Sequence, residues 1–332
     1  MDAGFFSSSR RLRLWPGQHV DHSRLRGYYI DFRPKTLSED GWPPDWLRPG
    51  TGFVPLAQLG LGYFETFVAE GDAESFELAR RACDHLVETQ RRDEGDPHDG
   101  GWQHTFGFTY RVELRAPWLS AMPQGQAASL LLRVHAETGD DRYAETALRA
   151  IRPFLRAVDE GGVVAAVDGG GLFGEEYPTV PSSHVFNGGV FALWGVRDVA
   201  ETLGDADAKA LHRELLAGLT RLVPRYDLGW WSRYDLYPEP PTNVASSFYH
   251  HLHVSQLRAL HDLYGEPVFL ELADRFTAYE GRRVLAGRAF LHKVAYRLVV
   301  PRHPIPFASR SPAAARLENL LKVSASRPIR RL

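Results

Sequence analysis

Between Gly174 and Gly189 the chain places Glu175, Glu176, Tyr177, His184 and Asn187 around two prolines, Pro178 and Pro181, immediately before an apolar helical run. Two later segments have the same character: Ser232-Arg233-Tyr234-Asp235-Leu236 and Ser247-Phe248-Tyr249-His250-His251-Leu252-His253. Each puts a tyrosine beside ionisable groups near a helix start. A phenol has a reference pKa of about 10. It donates a proton in its neutral form, and it accepts one when neighbouring cations stabilise the phenolate. Three such tyrosines point to proton-transfer chemistry.

The bulk of the chain is that of an ordinary water-facing protein. It has 332 residues, 44% hydrophobic and 24% charged, with a net charge of −2. The 8 tryptophans and 13 tyrosines suit either a rich core or a cleft in which flat rings stack on sugar faces. A single cysteine, Cys83, cannot form an internal disulfide and reads as a small core residue. No apolar run approaches the roughly 18 residues of a spanning helix, and the N-terminus lacks a basic-then-apolar leader. These features place the protein in the cytoplasm. Charge is uneven: from Gly281 onward there are 12 lysines and arginines against one acid, Glu318. Such a tail can reach an anionic lipid surface, which extends the expected location to the inner face of the membrane.

The elements that must position the tyrosines come as a loose repeat. Helix-period segments meet at Gly71-Asp72, Gly139-Asp140, Gly204-Asp205 and Gly265-Glu266. The pairs are Leu56 to Ala69 with Ala73 to Gln90, Gln124 to Thr138 with Arg142 to Val158, His184 to Leu203 with Ala206 to Val223, and His250 to Tyr264 with Pro267 to Tyr279. Glycine ends a helix in the left-handed region and the acid caps the next. Four antiparallel helical hairpins predict a mainly α fold, an α/α barrel or toroid, with the more apolar first helices inside. Gly101 to Phe106, Val163 to Val167 and Trp230 to Tyr234 read as short strands in the connections, and Tyr28 to Phe32 as another. The organisation is an irregular segment at 1–52, a catalytic barrel at 53–280 and a basic helix and tail at 281–332, with one helix near Ala313 to Val323.

Four ordered motifs resemble the C-terminal catalytic domain of the D-glucuronyl C5-epimerases. They are Ser120-Ala121-Met122-Pro123-Gln124-Gly125-Gln126, Glu176-Tyr177-Pro178-Thr179 followed by Asn187-Gly188, Tyr234-Asp235-Leu236, and Tyr249-His250 with His253 and Gln256. The resemblance implies an α/α barrel, with Tyr177, Tyr234, Tyr249 and Glu176 as catalytic residues and no cofactor. It implies conversion of D-glucuronate to L-iduronate residues within a polysaccharide, heparosan-like, or a lipid-linked glycan. Removing the C5 proton leaves a carbanion next to a carboxylate, so the site needs donors for that carboxylate and an acid/base group on each ring face. Tyr177 and Tyr249 are the expected pair, with Tyr234 assisting. Gln124, Asn187, Arg233, Asn243, His250 and His253 are the candidate substrate contacts, and Arg233 and His250 are also placed to tune their neighbouring tyrosines. The chain departs from the family pattern where Tyr237 and the stretch Val244 to Phe248 stand in place of arginines.

Other chemistries remain open on the same residues. A uronate lyase shares the first proton abstraction. A glycoside hydrolase would pair Glu176 with Asp227 or Asp235. A non-catalytic polysaccharide-binding protein would need none of the tyrosines to react. No metal is expected, because His250 and His253 fit no known zinc pattern. No nucleic-acid partner is expected either.

Overall fold

Each Gly–acid turn ends one helix and caps the next. The computed structural model describes residues 27–36 and 52–300. They form α1 (Arg33–Thr36), α2 (Phe53–Glu70), α3 (Ala73–Thr89), α4 (Ala121–Thr138), α5 (Asp141–Arg149), α6 (Phe186–Leu203), α7 (Ala206–Leu222), α8 (Ser247–Tyr264), α9 (Pro267–Glu280) and α10 (Arg283–Val299). Gly71, Gly139, Gly204 and Gly265 close α2, α4, α6 and α8 at φ of 72°, 70°, 69° and 69°. Only glycine takes that conformation without strain. The Asp72, Asp140 and Asp205 carboxylates then accept backbone N–H bonds from the first turns of α3, α5 and α7. Glu266 makes no such bond, and Pro267 opens α9 at a position where its missing N–H costs nothing.

The four expected hairpins are therefore present, with one shortened. The helix expected from Arg142 to Val158 stops at Arg149 and continues as a 3-10 turn over Arg152–Leu155. Pro153 lacks the N–H that an α-helix would need there. Helices α4 and α6 are buried almost all round, whereas α3, α5 and α7 bury one stripe each. Helices α2, α4, α6 and α8 pack side by side in that order, each backed by its antiparallel partner. This is toroid layering, but the described helices trace an arc and not a closed barrel. Helices α4 and α6 approach closely because Gly125 faces Gly195. A Cβ on Gly195 would lie 2.2 Å from the Gly125 Cα.

Folding back each hairpin brings the N-termini of the inner helices to one end and the Gly–acid turns to the other. The connections at the N-terminal end carry two small antiparallel pairs: β1 (Phe108–Thr109) with β2 (Glu113–Leu114), and β3 (Val164–Ala166) with β4 (Leu172–Gly174). Val163 to Val167 is thus a strand as expected. Gly101 to Phe106 carries only the bridge from His104 to Trp118, and Trp230 to Tyr234 only the bridges from Ser232 to Asp227 and from Arg233 to Val244. Tyr28 to Phe32 has one bridge residue, Ile30, and is otherwise irregular. Its rings pack on Phe191 and Trp194 of α6 instead. The expected helix near Ala313 to Val323 and most of the segment at 1–52 lie outside the described residues. Cys83 is fully buried in α3, as expected of a core residue. Among the described residues, no helix is long and apolar enough to cross a membrane.

Candidate active site

The first tyrosine is held by a carboxylate beside the one expected to act. Glu175 accepts hydrogen bonds from the Ser183 hydroxyl at 3.1 Å and the His184 N–H at 3.0 Å. His184 Nδ1 lies 2.6 Å from the same group. These contacts hold His184 at φ 45°, a left-handed conformation that costs a non-glycine residue energy. Glu175 thereby ties the loop from Tyr177 to His184 into a fixed shape. The carbonyl of Glu175 also accepts the Ala121 N–H that begins α4. Glu176 consequently faces the other way, toward the start of α6. There the Asn187 amide lies at the hydrogen-bond limit, 3.5 Å from Glu176 Oε2. Gly188 makes this approach possible, since a Cβ on it would sit 2.5 Å from the Glu176 Cβ and 2.6 Å from Oε2.

The second tyrosine is pinned through its backbone. Tyr234 donates its N–H to the Asn243 carbonyl at 2.7 Å and accepts the Phe186 N–H at the start of α6. Its neighbour Asp235 is fully buried. Asp235 accepts the Tyr110 hydroxyl, the Asn243 amide at 2.6 Å and the Tyr237 N–H at 3.2 Å, and the Arg111 guanidinium is 3.7 Å away. The Tyr110 ring in turn stacks on Tyr177 at 4.2 Å between centroids, with 16° between planes. The Tyr-Asp-Leu motif thus positions two tyrosines: Tyr234 along the chain and Tyr177 through Tyr110.

The third tyrosine occupies the first turn of α8, where the Ser246 hydroxyl caps its N–H at 3.4 Å. Tyr249 meets Tyr234 edge to face with centroids 4.8 Å apart. Tyr177 interacts through its side chain with both Glu176 and Tyr234, and Tyr249 with Tyr234. The order Glu176, Tyr177, Tyr234, Tyr249 is therefore continuous in space, with Tyr234 in the middle.

Burial sets the protonation of this row. Loss of solvent raises the pKa of Tyr177 and Tyr234 well above the ordinary phenol value, and the nearby Glu176 charge adds to it. Tyr249 is raised for the same two reasons, in the same order. All three rest as neutral phenols. Burial also lifts Glu176 to about 7, so at neutral pH it is poised to gain or lose a proton.

His250 and His253 share one hydroxyl. The Ser232 N–H donates to His250 Nδ1 at 3.2 Å, so the ring proton is on Nε2 and bonds the Phe276 carbonyl at 3.0 Å. The Ser232 hydroxyl, 2.7 Å from that same Nδ1, must donate to it. It then accepts the Nδ1 proton of His253 at 3.0 Å. His253 Nε2 is left as a bare acceptor with no partner among the described residues. Desolvation keeps both rings neutral, with His250 lowered to about 4.

The structure sorts the expected contacts into two groups. Asn187 Oδ1 and His253 Nε2 are buried without a partner among the described residues, as is Gln256 Oε1, whose amide donates to the Asn187 carbonyl. Native interiors rarely leave such groups unpaired, so this cluster is where a polar ligand is wanted. Gln124 instead clasps the Trp102 backbone through both amide ends. His250 stacks on Trp231 at 3.8 Å and bonds α9, away from the tyrosine hydroxyls it was expected to tune. Arg233 donates to the Asp235 carbonyl, and its electrostatic neighbours are Asp235, Arg225, Tyr226 and Arg111, not Tyr234. Adjacent residues on an extended segment point to opposite sides, which is why Arg233 turns from its neighbour's ring. Asn243 is saturated, donating to Asp235 and Tyr110 and accepting from Lys293. Asp227 is committed to Arg275 and Tyr279, and Asp235 to the network above, so neither is a free carboxylate to pair with Glu176. Trp102, Trp194 and Trp231 are core residues and present no face to a sugar. Sequence reasoning missed Tyr110, Arg111 and Lys293. The first two sit in the β1–β2 turn, and Lys293 reaches in from α10.

Stacked helical hairpins here carry buried phenols in two of their connections and in the first turn of α8, and the comparisons specify the family. The profile of the D-glucuronyl C5-epimerase C-terminus matches residues 96–278, and the chain belongs to that family. It is similar to the D-glucuronyl C5-epimerase of Caenorhabditis elegans, 30% identical over 216 residues, covering 60% of this chain and 34% of that protein. It is also similar to an uncharacterized protein of Methanocaldococcus jannaschii, 26% identical over 215 residues, covering 64% of each. The chain therefore spans less than two thirds of either relative. Among solved structures, the cellobiose 2-epimerase of Spirochaeta thermophila has a TM-score of 0.46 at 17% identity, covering 68% of this chain and 57% of that one. The unsaturated glucuronyl hydrolase of Bacillus sp. GL1 has a TM-score of 0.39 at 18% identity, covering 71% and 61%.

Proposed function

We propose that the protein is a C5-epimerase that converts D-glucuronate-type residues of a polysaccharide or lipid-linked glycan to the L-iduronate type. The observation that carries this reading is the continuous row of Glu176 and three phenols. A proton leaves C5 to the Tyr177 oxygen as the phenol passes its own proton to Glu176. The electron pair spreads into the adjacent uronate carboxylate. A proton from Tyr249 then reaches C5 from the other face. Tyr234, between the two, carries a proton back along the row and resets both. The first step relays two protons in concert, C5 to Tyr177 and Tyr177 to Glu176, the second delivers one from Tyr249 to C5, and no bond in the glycan backbone is cut. The unpaired atoms of Asn187, His253 and Gln256 accept sugar hydroxyls.

The rival carboxylate pairs for hydrolysis are tied up in ion pairs and hydrogen bonds, which favours proton transfer over glycosidic cleavage. Incubating a glucuronan with the protein separates the outcomes. The epimerase reading requires new L-ido residues at unchanged chain length. Ultraviolet absorbance from a C4–C5 unsaturated end would assign a lyase, and new reducing ends a hydrolase.

A membrane-surface location for a lipid-linked substrate is supported by α10. Val284 is 82% exposed, Phe290 67%, Leu291 66% and Leu298 75%. Arg282, Arg283, Arg288 and Arg297 accompany them, with no acidic residue from 281 to 299. A basic helix with an exposed apolar face suits an anionic lipid surface.

A further inference from the structure

The opposite face of α10 delivers one side chain into the phenol cluster. Lys293 Nζ lies 2.7 Å from Asn243 Oδ1 and 3.0 Å from the Val244 carbonyl. It sits 5.1 Å from the centre of the Tyr234 ring and 5.3 Å from that of Tyr296. Both of its hydrogen-bond acceptors are neutral amide oxygens, and an ammonium has three hydrogens to give.

From these contacts we infer that Lys293 is the binding site for the carboxylate of the reacting sugar acid, and that it holds the extra negative charge there when C5 loses its proton. This rests on the epimerase reading above. The charges around Lys293 support it. Arg297 lies on the same helix, Arg111 comes from the β1–β2 turn, and His253 from α8 is neutral. The facing acid is Asp235, reached from the Tyr-Asp-Leu segment, and it is occupied by Tyr110, Asn243, the Tyr237 N–H and Arg111. Arg111 is itself committed, donating to the Pro241 carbonyl at 2.8 Å and lying 4.9 Å over the rings of Tyr237 and Tyr296. Among the described residues neither Lys293 nor Arg297 has an anion in direct contact, and of the two it is Lys293 whose nitrogen is held by hydrogen bonds beside the Tyr234 ring. Lys293 is half-buried, and withdrawing a charge from water is costly unless an anion arrives to pair with it. The desolvation is felt already, because the Lys293 pKa falls to about 7. A bound carboxylate would restore the full charge. Lys293 also lies outside the matched family segment at 96–278, so that match assigns it no role.

In the reaction the C5–H bond breaks, the proton goes to the Tyr177–Glu176 pair, and the electron pair enters the carboxylate. Lys293 keeps its own proton throughout and strengthens its bond to that carboxylate as charge builds.

The experiment compares wild type, Lys293→Met and Lys293→Arg, each checked by circular dichroism and thermal melting. Two readouts are taken: deuterium entry at C5 in D₂O, and binding of a uronate oligosaccharide against the same oligosaccharide with its carboxyls reduced to alcohols. Wild type should prefer the acid by about tenfold or more, and Lys293→Met should lose that preference together with about a hundredfold in exchange rate. Lys293→Arg should keep the preference and move the alkaline limb of kcat/KM upward, because arginine does not titrate in that range. A merely structural lysine would not move that limb. Folded Lys293→Met with an undiminished acid preference, or wild type with none, overturns the inference. If Lys293→Met fails to fold, Lys293→Arg decides: an unmoved alkaline limb overturns the inference, as does an acid preference that fades at the same pH as in wild type. If wild type prefers the acid through Lys293 but exchanges no deuterium, the carboxylate site stands and the epimerase reading falls.

Discussion

The ring of Tyr110 lies flat on that of Tyr177, 4.2 Å away, while its hydroxyl donates to Asp235. A residue of a two-residue-strand hairpin thus couples the Tyr-Asp-Leu segment to the tyrosine beside Glu176. Removing only the hydroxyl leaves the stack but strips a buried carboxylate of one donor. Tyr110→Phe should cost about 1–3 kcal/mol of stability. It should slow turnover several-fold, with KM little changed. A thermal melt together with steady-state kinetics checks both.

The phenol row predicts a shared loss. Tyr177→Phe, Tyr234→Phe and Tyr249→Phe should each lower kcat by about 10² or more, because each deletes one proton carrier. Their effects should not add, since breaking the row once disables it. Substrate binding should be nearly unchanged in all three. An additive double mutant Tyr177→Phe/Tyr249→Phe would show that the phenols act separately.

Glu176 makes folding stability depend on pH in a definite direction. Its folded pKa, about 7, lies above the ordinary carboxylate value, so the folded state holds a proton that the unfolded state has released. Stability contributed by the protonated group is full below the unfolded value near 4.5 and is lost as pH rises through about 7. Glu176→Gln removes this loss. It should melt higher than wild type at pH of about 8 and show a smaller advantage near pH of about 5, while having almost no activity. Melting curves across that range decide it.

Gly188 allows the α6 N-terminus to reach Glu176. A methyl group there meets Glu176 atoms at 2.5 and 2.6 Å, and these belong to a carboxylate held in a packed interior. Gly188→Ala should destabilise by about 1–3 kcal/mol and displace Glu176. Activity should fall by more than the unfolded fraction explains, measured well below the melting temperature.

The outer face of α10 predicts binding to vesicles. Sedimentation should increase with the fraction of anionic lipid and fall with salt. Phe290→Glu with Leu291→Glu should abolish it without altering exchange on a soluble oligosaccharide. Equal binding to neutral vesicles would exclude the charged-surface account.

Much of this architecture was legible in the chain because its signals are local. The Gly–acid turns fix helix ends within two residues, and the four hairpins follow. The three tyrosines and Glu176 could be named because they lie in short motifs. What failed was side-chain direction. Gln124, Arg233 and His250 sit in or beside motifs yet turn to the backbone of Trp102, to the Asp235 carbonyl and to α9. Tyr110, Arg111 and Lys293 escaped notice for the converse reason. They are ordinary residues in local sequence, and only the packing of a hairpin and of α10 brings them to the phenols. Open closure of the helical arc was equally hidden, because it depends on contacts between the first and last hairpins and not on any turn.

The central claim is that these phenols move a proton on and off one sugar carbon. The most direct measurement is NMR of a glucuronan incubated with the wild-type protein in D₂O. The account predicts deuterium at C5 of the uronate residues and growing L-ido signals, with the polymer intact and with both changes absent for Tyr177→Phe. C5 protons that stay undiluted across uronate polymers, or deuterium entry that Tyr177→Phe leaves unchanged, would contradict it.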